Sequence, residues 1–218
     1  MKTFALFGLL GFGCMAHALM IDDFSTGNIN DQISTGSNST YTAASVPGGN
    51  RWVYHSISAN PLGLTHSNVV INGIFASDSK TSVDAGSIIG YGSDSAGSFT
   101  VGTDLNLDLS TQNAFNINVL SNDLAATIQI AIRTNGGNLA FSSLHNLTPG
   151  MVMTPQVVTI SFAEFGAQNF ADVDSIGIYL DTTASGDTVI DSFEAVPEPA
   201  SLIALGLGAA ALVARKRK

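Results

Sequence analysis

Apolar and polar residues alternate with a period of two along much of the chain. The clearest cases are Phe115-Asn116-Ile117-Asn118-Val119 and Ile128-Gln129-Ile130-Ala131-Ile132-Arg133. Such alternation buries one side of an extended segment and wets the other, as in a β-strand of a two-layer protein. Short runs rich in Val, Ile, Thr and Phe, separated by Gly, Ser, Asn and Asp, predict strands over 20–24, 41–46, 51–58, 64–71, 87–91, 97–101, 105–109, 115–120, 127–134, 139–144, 156–161, 175–180 and 188–194. Asn135-Gly136-Gly137-Asn138 reads as a hairpin turn. Only 162–170 reads as a helical turn. Many short strands at this spacing predict an all-β, jelly-roll-like β-sandwich over residues 19–195, as one domain.

The two ends break the pattern. Lys2, the apolar residues 4–15 and Ala16-His17-Ala18 have the three-part layout of a secretory signal peptide, with cleavage expected after Ala18. Cys14, the only cysteine, lies inside this segment, and Phe12 is too large for a lipoprotein site. The exported chain therefore has no disulfide and no thiolate chemistry. At the other end, residues 202–214 are apolar or glycine and are followed by Arg215, Lys216, Arg217 and Lys218. A helix over 201–214 is expected to sit in the membrane, with the four basic residues as its cytoplasmic stop. At about 1.5 Å per residue it covers only some 20 Å of a hydrocarbon core near 30 Å, so it makes a marginal span.

Val196-Pro197-Glu198-Pro199, the short apolar run and the basic terminus resemble the PEP-CTERM sorting signal of Gram-negative bacteria. The resemblance covers residues 196–218. It implies that Pro197, Glu198 and Pro199 mark the region processed by a membrane protease, exosortase. It also implies transient anchoring in the inner membrane, then delivery to the cell surface or beyond, among bacteria that make extracellular polysaccharide. The prolines agree with this, since they hold the segment extended and unable to continue a helix.

Composition narrows the task of the exported domain. Three basic residues, Arg51, Lys80 and Arg133, stand against sixteen acids, a net charge of about −13. Such a surface repels nucleic acid and anionic membrane. The opening Ile21-Asp22-Asp23-Phe24, the Gly48-Gly49-Asn50-Arg51 entry to a strand and the closing Ile190-Asp191-Ser192-Phe193 are similar to galactose-binding-like jelly rolls, carbohydrate-binding modules among them. If the first and last strands lie side by side, Asp22 or Asp23 comes close to Asp191, a set of hard oxygen ligands suited to Ca²⁺. In the strand 51–58, Trp52 and Tyr54 are expected to face the core. That leaves Arg51 and His55 for solvent or a ligand, with Tyr91 exposed on a glycine-rich loop.

Catalytic patterns are not found. His55, His66 and His145 are scattered, and no H-E-x-x-H occurs. The loop 90–97 lacks the spacing of a dinucleotide loop or a nucleophile elbow. Glycosidase chemistry needs facing carboxylates, and no pair stands out with Glu164 and Glu194 the only glutamates of the domain. The expectation is a non-enzymatic, exported binding protein associated with extracellular polysaccharide. The alternatives are a secreted polysaccharide hydrolase and a purely structural or adhesive biofilm protein.

Overall fold

The computed structural model describes residues 17–97, 104–150 and 155–197. They build two antiparallel sheets packed face to face. The first sheet runs β12 (Gln156–Ser161), β8 (Ala114–Asn122), β14 (Asp187–Val196), β6 (Ile74–Ser79), β5 (His66–Ile71) and β2 (Ile29–Ile33), with β1 (Leu19–Asp22) also on β14. The second runs β10 (Ala140–Phe141), β9 (Ala126–Thr134), β13 (Val173–Thr182), β7 (Asp84–Tyr91), β4 (Asn50–Ala59) and β3 (Ser37–Ala43), with β11 (His145–Leu147) also on β9. From β6 onward the long strands alternate between sheets: β6, β8, β12 and β14 in the first, β7, β9 and β13 in the second. That is the winding of a jelly roll, as the sequence predicted.

Inward residues come from every second position. Ile128, Ile130 and Ile132 of β9 and Ile176, Ile178 and Leu180 of β13 face Phe115, Ile117 and Val119 of β8. Phe115 is the hub, with ring centroids 4.7 Å from Phe162 and 5.3 Å from Phe193. Instead of a helix over 162–170, a single 3-10 turn spans Phe162–Phe165, and Ser161 and Glu164 close it with a reciprocal capping box.

Two Asn-Gly turns reverse the chain between neighbouring strands. Asn135 and Gly136 both have positive φ, and the turn returns β9 onto β10. Asn72 and Gly73 do the same between β5 and β6, pairing Ile71 with Ile74. Both are the backbone of a type I′ turn. The second turn is legible as Ile71-Asn72-Gly73-Ile74, yet β6 is missing from the expected strands, as is β2. Their inward positions include Ser77, Ser79 and Asp31, so the alternation of apolar residues is broken there. Conversely, 105–109 forms only an isolated bridge, Leu107 with Val173, and the expected strand at 97–101 falls mostly outside the described residues.

Candidate functional site

The strand β4 is phased opposite to expectation. Arg51, Val53 and His55 point into the sandwich, and Trp52, Tyr54 and Ser56 point outward. Arg51 is fully buried because Asp22 meets it: Nε and Nη2 donate to the two carboxylate oxygens at 2.6 Å each, and Nη1 donates to the carbonyls of Thr26 and Gly27. Tyr91, expected on a loop, ends β7 in the core and donates its hydroxyl to Asp22 at 2.8 Å. Burial, then the Asp22 carboxylate, pushes the Tyr91 phenol well above its ordinary value. His55 is likewise buried. Arg51, His55 and Tyr91 are therefore interior residues, closed to an external ligand. An alternating strand with apolar residues on both sides reveals its period but not its phase.

The carboxylates offered for calcium do not converge either. β1 and β14 do pair, Leu19 opposite Ala195 and Met20 opposite Glu194. Asp22, however, turns inward to Arg51, whereas Asp23 faces solvent and accepts from Ser25, and Asp191 is exposed at an irregularity of β14. No group of three or more His, Cys, Asp or Glu among the described residues is arranged to hold a metal ion.

What the phase of β4 creates is an aromatic outer face on the second sheet. Cross-strand pairing aligns Tyr54, Ile88, Tyr179 and Gln129 in one row across β4, β7, β13 and β9. All four are half-buried. The neighbouring row is Trp52, Gly90, Gly177, Ala131 and Phe141. Its middle carries no side chain beyond a methyl, and Trp52, Gly90, Gly177 and Ala131 are all buried, so the accessible rings of this face are Tyr54, Tyr179 and Phe141. Trp52 stacks on Tyr54 with centroids 5.6 Å apart and planes 18° apart. Phe141, 45% exposed, packs edge-on to Tyr179 at 5.8 Å. On the far side of the Tyr54 row lie Ser56, Gly86, Asp181 and Thr127. Burial, then Asp84, pushes the Asp181 carboxyl up. Flat rings flanked by hydroxyl, amide and carboxylate groups present apolar faces and hydrogen-bonding partners together.

One Ser, His and carboxylate cluster is also present, at the edge of the same sheet. Glu164 Oε2 accepts from Ser143 and from His145 Nε2, the latter at 3.0 Å. Burial pushes Glu164 up, but these hydrogen bonds win and hold it below its ordinary value. A nucleophilic triad needs the imidazole between the hydroxyl and the acid. Here one carboxylate oxygen takes both partners, which ties the β10–β11 loop to the 3-10 turn.

At the chain's end, Val196 closes β14, its carbonyl accepting from Asn113 N, and Pro197 follows directly. Glu198, Pro199, the expected membrane helix 201–214, the basic residues 215–218 and signal residues 1–16 lie outside the described residues. No helix among the described residues is long and apolar enough to cross a membrane.

Residues 195–218 match the PEP-CTERM protein-sorting motif. The chain carries a sorting signal. The motif implies export and sorting to the cell surface. Among curated proteins nothing matches the sequence. Among solved structures, the chain is similar to a family 11 carbohydrate-binding module of a Clostridium thermocellum cellulosomal cellulase, at 15% identity, over 83% of this chain and 94% of that one, TM-score 0.42. A Clostridium thermocellum endo-1,4-beta-D-xylanase 10B matches at 11% identity, 84% of this chain and 29% of that one, TM-score 0.38. An exo-beta-agarase matches at 8%, over 84% and 25%, TM-score 0.43. At these identities the likeness concerns the arrangement of strands and carries no reading of a ligand.

Proposed function

We propose that this chain is an exported surface or matrix protein, released from a transient inner-membrane anchor by an exosortase-type protease at Pro197, Glu198 and Pro199. Its sandwich binds extracellular polysaccharide without cleaving it. The observation that carries the binding role is the aromatic outer face of the second sheet, where the half-buried Tyr54 and Tyr179 share one row and Phe141, 45% exposed, packs edge-on to Tyr179. Sugar rings offer apolar C–H faces to such rings and hydroxyls to Gln129, Ser56 and Asp181. A net charge near −13 favours polymers that are not themselves anionic. The sorting match supports the route.

The test is a glycan array paired with a hydrolysis assay on the exported chain. Retention of neutral polysaccharides without turnover is expected. Tyr179→Ala should weaken retention about tenfold, the scale of one lost aromatic contact of roughly 1.4 kcal/mol, with the fold unchanged. Turnover would make the protein a hydrolase. Absence of retention, with or without the substitution, would leave an adhesive or structural role.

A further inference from the structure

One part of the interior is polar, and nothing in the binding role uses it. His55 on β4 of the second sheet and His66 on β5 of the first face each other across the sandwich, ring centroids 5.2 Å apart. Both are fully buried. His66 is held by Ser79 Oγ at 2.9 Å and Ser87 Oγ at 3.3 Å, and Ser87 donates onward to Asn68. Neither ring nitrogen of His55 makes a well-aligned hydrogen bond, and Asn68 Nδ2 is also unmatched.

The charged groups around the pair are few. Asp31 of β2 places Oδ2 3.3 Å from His55 Nε2 while accepting from Asn38 and Thr40 of β3. Asp78 of β6 acts on His66 from the outer side of its sheet, where it pairs with Lys80. β7 contributes only the Ser87 hydroxyl, and β3 contributes no charge.

These contacts make the pair stable only as neutral imidazoles. A first proton goes to His55, beside Asp31. A second, on His66, would set two like charges face to face, both fully buried. Burial, then the charge of His55, pushes His66 down to about 4. Burial also lowers His55, against the opposing pull of Asp31.

We propose that His55 and His66 form an acid-released latch, joining the two sheets at the β2–β5 and β3–β4 corner at neutral pH and letting that corner open on protonation. β4 carries His55 inward and Tyr54 outward, so opening also disturbs the aromatic face. The only tryptophan, Trp52, stacks on Tyr54 and reports that disturbance by its fluorescence.

The decisive measurement is amide hydrogen exchange on the full chain at pH 7.5 and pH 5, corrected for the intrinsic pH dependence of exchange. Amides of β4 and β5 should lose protection at least tenfold more than those of β9 and β13, with a change in Trp52 emission over the same interval. In the His55→Asn/His66→Asn variant the two regions should respond alike. Equal loss in both regions of the native chain, no loss in either, or an unchanged difference in the variant would overturn the latch. If that variant does not fold, imidazole NMR titration of the native chain decides: both rings titrating near 6.5 with amide protection unchanged overturns it, and titration well below 6.5 coinciding with opening supports it. Neither reading depends on glycan binding.

Discussion

At the scale of single residues, two buried polar groupings pull in opposite directions. Arg51 and Asp22 form a two-point ion pair reinforced by Tyr91, by the Phe24 amide and by the carbonyls of Thr26 and Gly27. All three guanidinium nitrogens donate, in four hydrogen bonds, so the charge is well compensated in the core. Removing one partner leaves the other buried and uncompensated. Asp22→Ala is expected to cost about 3–5 kcal/mol, read as a lower urea midpoint with an unchanged slope. The His55 and His66 pair is far less compensated, with only Asp31 beside His55. Its folded-state pKa values lie below the ordinary 6.5, so the unfolded chain binds protons the folded chain refuses. Stability is therefore full above pH 6.5 and falls as pH drops from 6.5 towards 4. His66 alone accounts for a loss on the order of 3 kcal/mol across that window. Denaturation midpoints measured from pH 7.5 to pH 5 should decline steadily, and a flat profile would contradict the assignment.

At the scale of elements, turns and closely approaching backbone decide more than propensity does. The Asn72-Gly73 and Asn135-Gly136 turns impose positive φ at both central residues; the first fixes the β5–β6 register by itself, while β9 and β10 pair one residue out of the register their turn alone would set. Gly97 plays a different part. It has φ of +77°, and a Cβ there would fall on the Trp52 indole. The absent side chain is what lets the loop after β7 close over the ring and bring Trp52 to 5% exposure. Gly97→Ala is expected to lift the loop, shift Trp52 emission to the red and destabilise the protein by about 1 kcal/mol or more. An unshifted spectrum would mean that something else covers the ring. The expected strand at 105–109 fails for a related reason: Leu105 and Leu107 serve as packing residues against the core, and only Leu107 bridges to Val173.

At the scale of the whole molecule, the pairing of β1 with β14 brings the first described strand beside the last. Leu19 lies opposite Ala195, one residue after the expected signal cleavage and two before Pro197. The two expected processing regions are therefore neighbours at one end of β14, inside the first sheet, while the aromatic face lies on the outside of the second. The proposed sorting step and the proposed binding step thus use different surfaces. Charge is spread differently again: the three basic residues of the domain are all paired with acids, Arg51 with Asp22, Lys80 with Asp78, and Arg133 with Asp104 and Asp174. The remaining carboxylates leave an acidic surface, unsuited to polyanions.

The features that the sequence determined by itself are local ones. A period of two needs only neighbours, so most strands, the turn at 135–138 and the all-β class were readable. The sorting label is contiguous and was readable too. The tertiary structure alone decided which side of each strand meets the other sheet. Residues 51–55 carry Arg, Val and His on one side and two aromatic rings on the other, so hydrophobicity cannot choose between them. The choice falls to partners far away in sequence: Asp22 and Tyr91 for Arg51, His66 for His55. Once Arg51 and His55 are drawn inward, Tyr54 must point outward, and there it meets Ile88 and Tyr179 from strands that share nothing with it in sequence. The candidate site exists because burial of a paired charge outweighs burial of a ring.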